Sequence, residues 1–166
     1  MNNYNIFEAK EYFNSMQKEY LTPTFKAKGY KKVKNYWKKM NGEVNITIKL
    51  EKSRTNTKLG HLFWFSITVS MLKNNEERIF WGRQDNFLTS NRVAFKKENH
   101  QATDYLIFRS EDEYNKMLMI LKTDFEDYIF PLLDKIDEKE LEKIIQNEKE
   151  KNGDIWYVNE FIGKNK

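Results

Sequence analysis

The chain has 166 residues, with 29 Lys and Arg against 25 Asp and Glu, two His and no Cys. That length suits one domain, and a cysteine-free chain excludes a disulfide scaffold, Cys-ligated zinc, an iron–sulfur cluster and a thiol nucleophile. Charged residues reach 33%, but the 15% of aromatic side chains, at about 150–250 Å² each, supply enough area for a core.

The elements are predicted in chain order as follows. Asn5 and Glu8 have capping-box spacing and open a helix over 6–28 that Pro23 kinks and Gly29 ends. A β meander comes next, with strands over 33–40, 43–51, 62–71 and 79–83, and a fifth at 104–108. Asn41-Gly42 is a two-residue hairpin signal, and that loop would set Trp37 opposite Ile46 and Val33 opposite Leu50 on the core side. In the second and third strands Val44, Ile46, Ile48, Leu50, Phe63, Phe65, Ile67 and Val69 alternate with polar residues, so one face is buried. The stretch 84–103 is polar and reads as irregular. Ser110 with Glu113 opens the strongest helix, 111–133, which Pro131 bends or ends; Asp137 with Glu140 starts another over 138–151. An aromatic tail, 154–163, closes the chain. The fold class is α+β: one domain over 1–166, with an antiparallel meander sheet of four to five strands. The N-terminal helix and two C-terminal helices pack on one of its faces.

No apolar run approaches the roughly 20 residues that span a bilayer. The opening Met1-Asn2-Asn3-Tyr4-Asn5 has neither the charged nor the apolar region of a secretory signal. The expected setting is the cytoplasm, without membrane contact. The basic excess is mostly Lys, 24 against 5 Arg, and Arg is the residue that phosphate- and base-reading surfaces favour. Charge is nonetheless segregated. Seven Lys and no acid lie between Lys26 and Gly42, whereas 14 acids against seven Lys lie between Glu111 and Asp154.

Reaction machinery is not legible. There is no Gly-x-Ser-x-Gly elbow and no phosphate loop. His61 and His100 have no ligand at metal-binding spacing, so neither metal nor cofactor is assigned. The acids Glu76 and Glu77 read as a turn, and Asp124, Glu126 and Asp127 as the wet side of an amphipathic helix. The remaining candidate is the sheet's polar face, with Lys34, Tyr36, Lys38, Asn45, Thr47 and Lys49, extended by Trp64, Ser66, Thr68 and Ser70. Lysines among aromatic rings can grip a partner or hold single-stranded nucleic acid; they can also merely rim cross-strand ring contacts.

Several of these residues also form a pattern. Lys28-Gly29-Tyr30-Lys31-Lys32, Tyr36-Trp37-Lys38-Lys39, Asn45-Ile46-Thr47-Ile48 running into Glu51-Lys52-Ser53, and Phe65-Ser66-Ile67-Thr68-Val69 resemble the uncharacterised, mostly bacterial family DUF4304, a domain of unknown function. The likeness covers roughly 10–145. Glu51 stands where that family tends to have Gln, and Thr68 where it tends to have Asn. The resemblance implies the fold and carries no activity; if the family has a site, Lys52, Ser53 and Thr68 are the positions it implies here. Lys52-Ser53 can equally close its strand through a hydrogen-bonded turn.

The favoured expectation is an interaction module that binds a protein partner through Trp64, Tyr36, Lys34, Lys38, Lys49, Lys52, Ser53 and Thr68, with no catalytic residue. The alternative is single-stranded or structured nucleic acid on the same face. A third reading is an enzyme whose Ser53, Thr68 and His61 converge only on folding.

Overall fold

In a computed structural model of the chain, residues 8–101 and 103–152 are described. The predicted N-terminal cap at Asn5 and the aromatic tail lie outside them. The first helix is continuous but not uniform: α1 (Ala9–Ser15) passes through a π-helical turn, Met16–Leu21, into α2 (Thr22–Ala27). A proline ring clashes with the carbonyl four residues back, and the wider turn relieves this ahead of Pro23. The amide of Thr22 bonds the carbonyl of Gln17, five residues back. The extra residue also broadens the inward surface, so that neighbours Tyr20 and Leu21 are both buried. Gly29, at φ 87, ends the helix as expected. Its amide bonds Lys26 O and that of Tyr30 bonds Phe25 O, both at 3.0 Å, which satisfies terminal carbonyls in a Schellman arrangement.

Six strands form one antiparallel sheet, ordered β1 (Lys31–Val33), β2 (Tyr36–Asn41), β3 (Val44–Lys52), β4 (His61–Lys73) and β5 (Glu76–Arg83), with β6 (Tyr105–Ile107) also on β4. The predicted strand 33–40 is in fact two strands. Lys34, at φ 55, turns the chain between β1 and β2, so Val33 pairs with Tyr36 and not Leu50, and is 40% exposed. The next hairpin turns through Gly42-Glu43, with Gly42 at φ 60. Asn41 therefore pairs with Val44, and Trp37 lies opposite Ile48 where Ile46 was expected. A shift of two residues keeps every side chain on its face, so Trp37 still enters the core. Asn74 and Asn75, both at positive φ, make the tight turn from β4 to β5.

The stretch expected to be irregular, 84–103, holds a 3₁₀ turn, Gln84–Phe87, and a helix, α3 (Ser90–Glu98), capped where Thr89 Oγ1 accepts the Arg92 amide at 3.2 Å. β4 pairs with β5 along Ser66–Lys73 and with β6 along His61–Phe63. Gln84 fills the gap. Its carboxamide oxygen accepts the Phe65 amide at 2.8 Å and its nitrogen donates to Thr103 O, so the sheet's hydrogen bonding continues through a side chain.

α4 (Glu111–Thr123) starts where Ser110 Oγ accepts the Glu113 amide, and runs through a second π-helical turn, Asp124–Ile129, into α5 (Phe130–Asp134). Pro131 again follows the wide turn directly. α6 (Glu138–Asn152) is capped by Asp137, whose Oδ1 accepts the Glu140 amide at 2.9 Å. The helices cover one face of the sheet, where Phe13, Met16, Leu21, Phe25, Leu121, Phe125, Phe130, Leu133 and Leu141 meet Trp37, Ile46, Ile48, Phe63, Phe65 and Ile67 in one core. α6 is tied to the β5 side by Arg78–Glu142 at 2.7 Å and by Lys73–Glu138.

Four phenols sit within or beside this core. Burial raises Tyr20, Tyr30, Tyr105 and Tyr114 above the ordinary value of 10.0, helped by the negative fields of Glu126, Asp134, Asp124 and Glu19 respectively. Because their folded pKa values exceed the unfolded ones, the stability they carry is intact below pH 10 and is lost as pH rises above it. An absorbance titration should therefore show some of the nine tyrosines ionising only with unfolding. Simultaneous ionisation of all nine near pH 10, with the fold intact, would contradict this burial.

Candidate interaction face

Strand register decides which residues share the outer face, the one opposite the helices. One row runs Lys31, Lys38, Thr47, Thr68, Trp81; the next runs Val33, Tyr36, Lys49, Ser66, Arg83; and Glu51 stands opposite Trp64 beyond them. Five sequence candidates, Tyr36, Lys38, Lys49, Trp64 and Thr68, thus come together. Three do not. Lys34 is in the β1–β2 turn. Lys52 ends β3 in the alternation of the core side, and Ser53 lies in the loop beyond, where its Oγ accepts the Thr55 amide at 3.2 Å and contacts Thr55 Oγ1 at 2.8 Å. Ser53 thus closes a turn. Lys31, Trp81 and Arg83 join the face unforeseen: the hidden β1–β2 hairpin brings the first, and the pairing of β5 with β4, in a strand already expected over 79–83, brings the other two.

Three cations of this face, Arg83, Lys38 and Lys49, are matched to rings or acids. Arg83 lies 4.8 Å above the Trp64 ring, while its Nη1 donates to both oxygens of Asp104 at 2.8 and 3.1 Å. Lys38 lies 5.3 Å above Tyr36, and Lys49 pairs with Glu51 at 3.0 Å. Cation–π stacking and the Asp104 anchor hold Arg83 with less rotamer freedom than a free surface Arg has. The face is not uniformly wet, since Ser66 and Ile79 are buried.

The enzymatic trio is not assembled. Thr68 is on the outer face, Ser53 is spent on its turn, and His61 is on the helix side, stacked 5.0 Å from Phe13. Burial, with the positive fields of Lys52 and Lys10, lowers its imidazole pKa below 6.5.

The most densely charged cluster is elsewhere and corrects the reading of Asp124 as solvent-facing. Asp124, the first residue of its π-helical turn, is 0% exposed. Its Oδ1 accepts Arg92 Nε at 2.9 Å and lies 2.8 Å from Nη2; its Oδ2 accepts Lys96 Nζ at 2.9 Å and Tyr105 Oη at 2.7 Å. Lys96 also donates to Asp85 at 2.8 Å. Arg92 and Lys96, four apart on α3, are one inward stripe. Burial lifts the Asp85 carboxyl above its usual range, with Lys96 opposing. Two cations and two carboxylates balance, so this network is structural. Among the described residues no group of three or more His, Asp or Glu could hold a metal, and no helix is long and apolar enough to cross a membrane.

These features define an α+β protein with one helix-covered sheet face and one face of rings, hydroxyls and anchored cations. The chain belongs to the family DUF4304, the domain of unknown function whose sequence pattern it matches over residues 21–135. No curated protein and no solved structure matches it.

Proposed function

We propose that this protein is a cytoplasmic, non-catalytic module that holds a protein partner against its outer sheet face. The observation that carries this reading is the Trp64–Arg83–Asp104 arrangement. A half-buried indole under a braced guanidinium has the character of an interface anchor, because Trp and Arg dominate binding energy where they are pre-positioned. Tyr36, Lys38, Lys49 and Thr68 surround it with donors and an amphipathic ring. Ring and acid matching of Lys38, Lys49 and Arg83 favours a protein over a phosphate track, since those positive charges are already partly spent.

The test is capture of a partner with the tagged chain, followed by affinity measurements on the purified pair. Trp64→Ala is expected to weaken binding by about 2 kcal/mol or more, while stability changes by under about 1 kcal/mol. A collapse of the melting temperature, or unchanged binding, would refute the anchor role. Tyr36 beside Lys38 and Lys31 gives the nucleic-acid reading its one specific support. For that ligand, affinity for an oligothymidylate should fall steeply and linearly in log–log form with salt; an aromatic-anchored protein complex should respond far less.

A further inference from the structure

Asn41 ends β2 and ties the β2–β3 hairpin to the turn between α5 and α6. Its carboxamide nitrogen donates to Ile136 O at 2.9 Å, Asp134 O at 3.1 Å and Leu133 O at 3.4 Å. All three partners are acceptors, so only the N–H side of the amide can face them. They lie where a helix ends and has no further amides of its own to offer. Lys39, two residues back on the same strand face, reaches the same turn by pairing with Asp134 at 3.2 Å, and Lys28 lies 3.6 Å from that carboxylate. One carboxamide beside a partly exposed ion pair thus makes the polar seat of the hairpin on the helices. The next residue is Gly42, which is exposed, and its amide has no hydrogen-bond partner among the described residues. A Cβ there would meet nothing within 4 Å.

We propose that Asn41-Gly42 is a self-modifying site whose co-reactant is water: the carbonyl clamp protects the amide while the hairpin is seated, and deamidation during an opening stops the clamp from re-forming. The Gly42 nitrogen, once its proton passes to solvent base, attacks Asn41 Cγ. The N–Cγ bond closes a succinimide, the Cγ–Nδ2 bond breaks, and the amide group takes up a proton and leaves as ammonia. Water then opens the ring at either carbonyl, giving aspartate or isoaspartate at position 41. One water is consumed, one ammonia is released, and nothing is oxidised or reduced. The open space around Gly42 admits the ring. In the extended backbone of β2, closure requires both ψ and χ1 of Asn41 to rotate, and the clamped amide blocks the second. After conversion the carboxylate has no N–H to give. It meets three carbonyl oxygens and the Asp134 carboxylate with like polarity, while Lys39 is already paired with Asp134. The site is independent of the outer sheet face, because Asn41 reaches the helix side.

The test incubates the full chain in mildly alkaline buffer at physiological temperature, folded and in urea, and follows tryptic peptides by mass spectrometry. Cleavage after Lys39 and Lys49 separates Asn41 from Asn152-Gly153, the chain's other Asn-Gly. In urea, position 41 is expected to convert readily to a mixture of aspartate and isoaspartate. In the folded chain the same conversion should proceed about tenfold more slowly or less, as for chemistry that waits on a local opening. Hydrogen exchange reads the consequence. In Asn41→Asp the amides of 135–141 should exchange faster than in the wild type, while those of β3 and β4 keep their protection. Equal conversion rates in the two conditions would mean that no clamp protects the amide. No conversion in the folded chain would mean that the site does not react in the native protein. Unchanged exchange in Asn41→Asp would mean that the product leaves the turn seated. Each of these results overturns the proposal. Should Asn41→Asp fail to fold, exchange is measured on the aged wild-type chain, with the same expectation for 135–141.

Discussion

Asp124→Asn is expected to cost about 3–5 kcal/mol, the range for breaking a buried ion pair from one side. The carboxylate is fully buried and receives Arg92, Lys96 and Tyr105. An amide in its place keeps one acceptor but directs an N–H toward the Lys96 ammonium and the Tyr105 hydroxyl. Lys96 then keeps Asp85, while the buried Arg92 loses the carboxylate it pairs with. At this chain length each kcal/mol lowers the melting temperature by about 2–4 °C, so calorimetry should register a fall on the order of 10 °C. A loss below about 1 kcal/mol would mean that water enters and the network is not dry. Replacing the cluster together, Arg92→Met and Lys96→Met with Asp124→Leu, should cost less than the single change, because it removes the stranded charges along with their partner.

Phe25→Ala is expected to cost about 3–5 kcal/mol through lost burial and the cavity left behind. Phe25 is fully buried, and its ring lies 4.7 Å from Trp37, 5.3 Å from both Phe125 and Phe130, and 6.3 Å from Phe65. It therefore joins α2, the sheet and both sides of the second π-helical turn. Edge and tilted ring contacts add to the area term, and neighbours on three elements cannot all relax into one void. Denaturant unfolding should show a lower midpoint with an unchanged slope. A near-neutral result would remove Phe25 from the centre of the core.

Most of the architecture was legible because local signals and burial agreed. The alternation from Val44 to Leu50 and from Phe63 to Val69 matches the observed core face. Gly29, Ser110 and Asp137 terminate or cap helices where expected, and both prolines mark irregular turns. What escaped was written in charges. α3 turns Arg92 and Lys96 inward and leaves Phe95 47% exposed, so its pattern inverts the apolar stripe by which helices are recognised. Asp124 was illegible for the same reason: only its distant partners make a buried carboxylate tolerable. The hairpin at Lys34 carries no glycine there, so a single strand was the natural reading. Of the candidate face, alternation placed Tyr36, Lys38, Lys49, Trp64 and Thr68 correctly. Lys52 and Ser53 came from a family likeness, and sequence likeness does not specify direction.

Gln84 has a further consequence for how the molecule tolerates change. With its carboxamide spanning the interval between β5 and β6, and Arg83 fastened to Asp104, the ladder is complete without the chain between them. That stretch is an excursion pinned at its neck, a port where length could vary without disturbing strand pairing. The restriction is chemical rather than topological: any replacement must still deliver two positive groups to Asp124 and an apolar side chain where Phe87 enters the core.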